Sequence, residues 1–369
     1  MPFLGFLVTA LVLVEVMVRL IYFGQGKMAP HPDSSLHSEW EWAADHLAAG
    51  SSIMPGLAQY HPRLGWVTKP NLNQSGVQTN SEGIRCDREI SRNRIPKKRR
   101  IVFVGDSYSF AVHVKNEESF PEILKREFMS DTEMINMGVG GYGPDQTLLR
   151  YELEGARYHP DIVVYGFYLR GFFRLFLSFR GYAKPYFVVN SRHELELKNS
   201  PVVSPVALYK MYASGKRRLP GWTYCYLLGW GQSVLAGSSQ RERISSRVDP
   251  SWQLMANVLR RLRDKAVQAG SKPFLLIFPT RPSRYKGRVY EDIDRFAQEE
   301  ARQLGIPFLS PTTAFADEQK RAPDKLLYNP RKQGGHLSIH GNRVLARLLY
   351  ESLMDSGVLV GPGLADAIP

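Results

Sequence analysis

A serine and a late histidine are the residues of this chain whose types and placement indicate nucleophilic chemistry. Residues 102–110 read VFVGDSYSF, so an apolar run stops at a glycine and is followed by Asp106 and Ser107. A strand that ends in this way delivers a side chain to the edge of a sheet. A serine activated by a histidine base, here His336, carries out acyl transfer. A small polar residue also suits a strand-to-helix turn without any chemistry, and both interpretations stay open.

The composition is that of a globular protein and excludes several function classes. The 369 residues are 43% hydrophobic and 22% charged, with a net charge of +13. The charge suggests anionic neighbours such as lipid head groups, and no nucleic-acid-binding motif accompanies it. Two cysteines, Cys86 and Cys225, allow neither a disulfide scaffold nor a zinc motif, although a single disulfide between them stays open. The GVGGYG run lacks the spacing of a phosphate-binding loop, so we expect no cofactor and no metal.

The elements that must position the serine form an alternating α/β pattern. Strands are predicted at 101–104, 133–137, 161–167, 273–278 and 306–310, and helices near 118–129, 145–157, 251–269, 290–304 and 341–354. Strands separated by helices predict a parallel sheet that is covered on both faces. In such sheets ligands lie at the carboxyl ends of the strands. The segments GDSYS, GVGGYGP and YLRGFFR fall at those ends.

Three blocks carry a resemblance to a known family. GDSYSF, NMGVGGYGPDQ and GGHLSIHGNRVLA resemble successive blocks of the SGNH/GDSL hydrolases, over roughly residues 60–355. The upstream HPRLGWVTKPN and TNSEGIR resemble the lead-in of membrane-anchored bacterial members. The resemblance implies a flavodoxin-like three-layer sandwich with a parallel sheet of about five strands. It also implies Ser107 as nucleophile, His336 as general base, and the N–H groups of Ser107 and Gly141 as oxyanion donors.

The chain departs from the family pattern at two positions. Arg170 stands where active relatives have an asparagine that donates a neutral hydrogen bond to the oxyanion. Arginine is longer and always charged, although it can stabilise an oxyanion from another angle. Gln333 and Gly334 stand where the family has the aspartate that orients the histidine, and Gln333 can at best orient the ring. Loss of that aspartate costs about 10⁴ in rate in the serine-protease template.

The N-terminal segment is predicted to be an uncleaved membrane anchor. Residues 2–23 are apolar except for Glu15 and Arg19, and they are long enough to cross a bilayer. A cleaved signal peptide would show a basic start and a small-residue cleavage site, and neither is evident. Glu15 and Arg19 lie one helical turn apart, where buried charges favour pairing or a partner helix.

The domain prediction places the anchor at 1–24, a stalk and lead-in at 25–95, the SGNH-like domain at 96–357 and a tail at 358–369. An inserted lobe at about 172–250 interrupts the alternation. Its aromatic residues, among them Trp222, Tyr226 and Trp230, fit either the core of that lobe or a surface for a membrane or protein partner.

Two functions from different classes follow. The first is a membrane-anchored SGNH-like domain with degenerate catalysis that serves as an accessory or structural subunit of a membrane protein complex. The second is a serine esterase, deacetylase or O-acyltransferase that acts on envelope glycans or lipids through Ser107 and His336. In both, residues 2–23 contact the lipid bilayer, and by resemblance the domain lies on the periplasmic side of a bacterial inner membrane.

Overall fold

The structure is a computed structural model, and it describes residues 2–23, 28–54, 56–221, 224–245, 249–279, 281, 288–330 and 335–359. The helices are α1 (Pro2–Phe23), α2 (Ser34–Ala49), α3 (Phe120–Phe128), α4 (Pro144–Leu153), α5 (Pro205–Ala213), α6 (Tyr226–Ser245), α7 (Ser251–Gln268), α8 (Arg288–Gln303), α9 (Thr312–Arg321) and α10 (Ile339–Asp355). The strands are β1 (Ala58–His61), β2 (Gly65–Thr68), β3 (Asn73–Gln74), β4 (Val77–Gln78), β5 (Arg99–Val104), β6 (Thr132–Asn136), β7 (Ile162–Phe167), β8 (Phe179–Arg180), β9 (Tyr182–Ala183), β10 (Tyr186–Val189), β11 (Leu195–Lys198), β12 (Lys272–Ile277) and β13 (Phe308–Leu309).

The central sheet has five parallel strands in the order β13-β12-β7-β5-β6. Numbered by their order in the chain, these strands read 5-4-3-1-2, which is the flavodoxin-like arrangement. All five predicted strands and the five predicted helices are present, within a few residues of the expected bounds. The predicted fold class is therefore confirmed.

The sheet is buried on both faces because its side chains alternate between two apolar cores. On β5, Val102 and Val104 face one core, and Ile101 and Phe103 face the other. Helices α4, α7 and α8 contribute to the first core, and helices α3 and α10 contribute to the second. This alternation gives the three layers of the fold.

The segment before the sheet packs against the first core. Trp40, Trp42, Leu64, Trp66 and Ile84 are all buried there with residues of α4 and α7. Two short hairpins, β8–β9 and β10–β11, follow β7 and lie within the predicted insertion. The boundaries of the domain, the stalk and the insertion stay predictions.

Helix α1 carries the apolar run Phe3–Ile21, which is long and apolar enough to cross a membrane. A signal sequence near the N-terminus can meet the same criteria of length and composition. Cys86 is buried and Cys225 is exposed, and both are free thiols.

Candidate active site

Ser107 lies on a tight turn that begins directly after β5. Asp106 holds this turn, because its Oδ1 accepts the N–H of Tyr108 at 2.9 Å and its carbonyl accepts the N–H of Phe110 at 2.9 Å. The carbonyl of Ser107 accepts the N–H of Val112 at 3.1 Å. The Ser107 side chain is left half-buried at the carboxyl end of the sheet. Asp106 therefore braces the turn.

Arg85 holds the far end of the same turn. It is buried, with 3% of its surface exposed, and its guanidinium donates to the carbonyls of Phe110, Ala111 (2.7 Å) and Val114 (2.6 Å). Burial lowers the pKa of Arg85 to about 10, so that the group stays charged at neutral pH. Three carbonyls that would otherwise be unsatisfied are therefore fixed by one side chain from the lead-in segment.

His336 reaches Ser107 from the other end of the chain. Its Nε2 lies 2.9 Å from Oγ of Ser107. The backbone of His336 is fixed by Asn329, whose N–H donates to the His336 carbonyl at 2.7 Å. Helix α10 begins three residues later, at Ile339, and Oγ of the preceding Ser338 caps the N–H of Gly341 at 3.0 Å. The predicted nucleophile and base are thus brought into hydrogen-bond contact.

Aromatic and imidazole rings surround the histidine. The ring centroids of Tyr108 and His113 lie 5.0 Å and 5.1 Å from that of His336, and Tyr168 stacks on Tyr108 at 4.6 Å. Burial lowers the pKa of His113, which favours its neutral form. His113 therefore adds no positive charge beside His336 at neutral pH.

The loop after β6 presents the predicted oxyanion donor. Gly138 lets this loop approach the nucleophile turn, since a Cβ there would lie 2.4 Å from the backbone nitrogen of Phe110. Gly141 has a φ of +88°, and its neighbour Gly140 accepts a hydrogen bond from Nε1 of Trp66 at 2.9 Å. In the part of the chain that the structure describes, the N–H groups of Ser107 and Gly141 are used in no other hydrogen bond. Both donors remain available for an oxyanion.

Arg174 lies against the nucleophile turn, and sequence reasoning did not select it. It is largely buried, its Nη1 lies 3.1 Å from Oδ2 of Asp106, and the same nitrogen donates to the carbonyl of Tyr142 at 2.6 Å. Its guanidinium also lies 5.5 Å from the ring centroid of Tyr168. Arg174 therefore neutralises Asp106 and ties the turn to the loop that carries Gly141.

Arg180 and Arg170 add uncompensated positive charge. Nη1 of the half-buried Arg180 donates to the carbonyl of Gly141 at 3.1 Å, whereas Arg170 is exposed. Burial, followed by the nearby charges of Arg174 and Arg170, lowers the pKa of Arg180 to about 10. Within the described ranges neither Arg170 nor Arg180 forms an ion pair. Two sequence signals indicate this part of the site: the segment YLRGFFR, which carries Arg170 and Arg174, falls at a strand end, and arginine recurs at 170, 174 and 180.

A buried ion pair anchors the segment that carries Arg180. Nζ of Lys184 contacts Oδ2 of Asp145 and also donates to the carbonyls of Arg174 and Leu177, each at 3.1 Å. Burial raises the pKa of Asp145 and lowers that of Lys184, and each charge opposes the shift of the other. The pair fixes the segment that carries Arg180 and Lys184 to the start of α4, beside the Gly141 loop.

The remaining predicted residues lie elsewhere or outside the described ranges. Gln333 and Trp222 fall outside them, as does Gly334. Glu15 and Arg19 contact the start of α6, where Tyr226 is buried and Trp230 is 46% exposed. Among the described residues, no group of histidine, cysteine, aspartate and glutamate side chains has the arrangement of a metal site.

Comparison with known proteins gives matches among solved structures. No family model and no curated protein matches the chain. A lipase/acylhydrolase from Enterococcus faecalis is 15% identical, with a TM-score of 0.41, over 71% of this chain and 97% of that one. The structure of TesA is 14% identical, with a TM-score of 0.40, over 70% and 99%. A psychrotrophic esterase from Pseudoalteromonas is 13% identical, with a TM-score of 0.39, over 70% and 98%.

The strand order and the three blocks define the class of this domain. The flavodoxin-like sheet presents the Gly-Asp-Ser turn after its first strand, and the late histidine contacts that serine. The chain therefore has the SGNH/GDSL-like fold that the sequence blocks implied, together with one N-terminal apolar helix.

Proposed function

We propose that this protein is a membrane-anchored serine esterase or O-acyltransferase that works through Ser107 and His336. The observation that supports the proposal is the 2.9 Å contact between Nε2 of His336 and Oγ of Ser107. A hydrogen bond of this length is the geometry that a general base needs to take the hydroxyl proton. The proposed substrates are acyl esters of envelope glycans or lipids.

The chemistry follows from the positions of these groups. Nε2 of His336 takes the proton of Ser107 as Oγ attacks the ester carbonyl, and the N–H groups of Ser107 and Gly141 receive the oxyanion. The imidazolium then returns the proton to the leaving alkoxide, which leaves an acyl-serine. Water or an acceptor hydroxyl, deprotonated by the same imidazole, releases the acyl group and restores Ser107.

The arginine residues favour an ester with a negative charge near the scissile bond. Asp106 is already paired with Arg174, so the charges of Arg170 and Arg180 are left for a ligand. Arg180 also contacts the carbonyl of Gly141, which places its charge beside the candidate oxyanion donor. A carboxylate or phosphate on the substrate would satisfy these guanidinium groups through charge-assisted hydrogen bonds.

A second candidate function is that of a non-catalytic subunit of a membrane protein complex. The observation that favours it is Arg170, which stands at the asparagine position of the family and is exposed rather than bonded within the site. In this function the Ser107 turn would be retained for the fold alone, and the arginine residues would contact an acidic partner.

The proposed location is the bacterial inner membrane, with α1 as a single anchor and the domain on the periplasmic side. The length and composition of the run Phe3–Ile21 support the anchor. N-terminal sequencing of the purified protein tests it, since a cleaved signal sequence would remove α1.

Labelling by a fluorophosphonate probe tests the catalytic proposal. The full chain should be labelled, and Ser107→Ala should abolish both labelling and ester turnover. Ser109→Ala is the matched control, because Oγ of Ser109 lies on the same turn but donates to the carbonyl of Val104 at 3.3 Å. Labelling that persists in Ser107→Ala would overturn the assignment of the nucleophile. An unlabelled wild-type protein that co-purifies with a stoichiometric membrane partner would support the second candidate.

A further inference from the structure

Glu15 of α1 provides the N-terminal cap of α6. Its Oε1 accepts the N–H of Tyr226 at 2.9 Å, and its Oε2 accepts the N–H of Leu227 at 2.7 Å. The first N–H groups of a helix have no partner within it, and a carboxylate at this end is favoured by the helix dipole. A residue of the apolar N-terminal helix thus satisfies the backbone of a helix more than 200 positions later.

Arg19 completes this contact. Its Nε lies 2.7 Å from Oε1 of Glu15, and its Nη2 donates to the carbonyl of Tyr224 at 2.6 Å. Its guanidinium also lies 5.0 Å from the ring centroid of Tyr226. Glu15 and Arg19 suggested a partner helix for α1, and in the structure α6 of the same chain is in contact with both residues. Both charges are used to join α1 to the start of α6.

The first half of α6 exposes a wide apolar surface. Leu228, Trp230, Val234 and Leu235 are 59%, 46%, 53% and 68% exposed. At 100° per residue these side chains extend over about 160° of the helix, opposite the side on which Tyr226 and Gly229 are buried. The sequence becomes polar in the second half, where residues 238–245 read SSQRERIS. The apolar surface is therefore confined to residues 226–236.

The position of Glu15 along α1 determines how deep in a membrane the apolar surface of α6 would lie. Glu15 lies six residues before the end of the apolar run at Ile21, which corresponds to about 9 Å along the helix. Helices that lie in a membrane interface bury their apolar side by roughly 5–10 Å. A helix that starts at this level would be within the interface and the adjoining acyl chains.

We infer that residues 226–236 of α6 are a second membrane-embedded element, which lies in the bilayer leaflet that contains the C-terminal end of α1. The occupant of its apolar surface is lipid. Two features on α1 and α6 support lipid. The apolar surface belongs to a helix that packs against α1, whose own apolar residues, such as Met17 and Leu20, are exposed. Trp230 is of the type enriched at membrane interfaces. The cap from Glu15 satisfies the backbone donors that a membrane leaves without water.

This arrangement joins the membrane unit to the candidate active site. Helix α6 packs against α8, and α8 packs against the 3₁₀ helix Leu169–Arg174, where the rings of Phe173 and Tyr290 lie 5.9 Å apart. That short helix carries Arg170 and Arg174. Embedding α6 therefore gives the site a fixed orientation toward the bilayer. The inference rests on the proposed membrane anchor and stands whether or not the protein is an enzyme.

Spin-label accessibility in liposomes tests the inference. The full chain is reconstituted in phosphatidylcholine and phosphatidylglycerol vesicles as single-cysteine variants, Leu228→Cys and Leu235→Cys, in a Cys86→Ala/Cys225→Ser background. We expect high collision rates with oxygen and low rates with a water-soluble nickel chelate at both positions. Ile95→Cys is the control, because Ile95 is 42% exposed in the polar segment before β5 and should show the reverse pattern.

The outcomes separate lipid from the other occupants of the surface. Nickel accessibility at 228 and 235 equal to that at 95 would overturn the inference. If positions 228 and 235 are shielded from both oxygen and the nickel chelate in native membranes, and detergent removes this shielding, a protein partner covers the surface and the inference is overturned. A further variant, Glu15→Leu, keeps α1 apolar and membrane-bound but removes the cap. It should make position 228 accessible to the nickel chelate, and an unchanged depth would contradict the role of Glu15.

Discussion

Nε2 of His336 lies 2.9 Å from Oγ of Ser107, although 229 positions separate the two residues in the chain. The contact depends on two separate loops, the turn after β5 and the segment before α10, each held by its own hydrogen bonds. A turn serine that served only the fold would need no imidazole at this distance. The contact is therefore the feature on which the catalytic predictions depend.

His336→Asn should lower kcat/KM for a neutral aryl ester by about 10²–10⁴, because the base that takes the Ser107 proton is lost. Ester turnover and fluorophosphonate labelling rate measure this. His340→Asn is the control. His340 lies four residues later and pairs with Glu318 at 3.1 Å on α9 rather than with the site. Equal losses in the two variants would show that the effect arises from the folding of this segment rather than from a base.

Arg180→Gln should reduce the preference for a charged ester. The test compares kcat/KM for 4-nitrophenyl hydrogen succinate, which carries a carboxylate, with that for 4-nitrophenyl butyrate. A hydrogen bond to a charged group contributes about 1.5–3 kcal/mol, so the ratio of the two values should fall by about tenfold or more. Arg180→Lys should keep part of the preference because it keeps the charge.

Arg192→Gln is the matched control for this prediction, since Arg192 is exposed between β10 and β11 and its loss leaves the charges around Gly141 in place. A ratio that is unchanged in Arg180→Gln would exclude Arg180 as a determinant of specificity. Turnover of neither ester by the wild-type protein would instead count against the catalytic proposal itself.

The fold was predictable from the sequence because its signals are local. The five strands are apolar runs bounded by turns, and α10 repeats its apolar residues with helical spacing, so the pattern of residues 101–355 determines the layers. The resemblance of the three blocks then linked Ser107 to His336. The hydrogen bond between the two side chains agrees with this link. The predicted oxyanion donor Gly141 also lies in a loop that contacts the nucleophile turn.

The rest of the site depends on contacts that no local pattern encodes. Arg180 reaches Gly141 only because the hairpin β8–β9 folds back over the loop after β6. Arg174 meets Asp106 across 68 positions, and Glu15 meets Tyr226 across 211. From the sequence alone, a charged residue in a loop is predicted to be exposed to solvent. Its partner is determined by tertiary packing, which the local sequence does not show.

Lys184→Met should destabilise the protein strongly. Lys184 and Asp145 are both fully buried, so that removal of the lysine leaves an uncompensated carboxylate, at a cost of about 3–5 kcal/mol. Denaturant unfolding of the full chain in detergent, followed by near-ultraviolet circular dichroism, measures this. The double variant Asp145→Leu/Lys184→Met should recover most of the loss, because neither charge is then buried. If Lys184→Met is as stable as the wild type, the pair does not anchor the segment that carries Arg180 and Lys184.

Gly141→Ala should impair both stability and turnover. The φ of +88° disfavours alanine, and its Cβ would lie 3.3 Å from Nη1 of Arg180 and 3.3 Å from the ring of Trp66. We expect a loss of about 1 kcal/mol in the free energy of unfolding, because the native conformation is incompatible with a Cβ. The N–H of residue 141 should also move away from the oxyanion. Since loss of one such donor costs about 10²–10³ in kcat, a displacement should lower kcat by up to about 10² with little change in KM.

Gly140→Ala is the matched control for this substitution. Gly140 precedes Gly141 in the same loop, is exposed, has no positive φ, and a Cβ there would meet no atom within 4 Å. Its variant should therefore unfold within about 0.5 kcal/mol of the wild type, as surface substitutions do, and should keep its turnover. If Gly141→Ala loses stability but keeps its kcat, the glycine serves only the backbone conformation and the oxyanion donor must be sought elsewhere. A fall in kcat in Gly141→Ala alone places the developing charge next to this N–H, beside the guanidinium of Arg180.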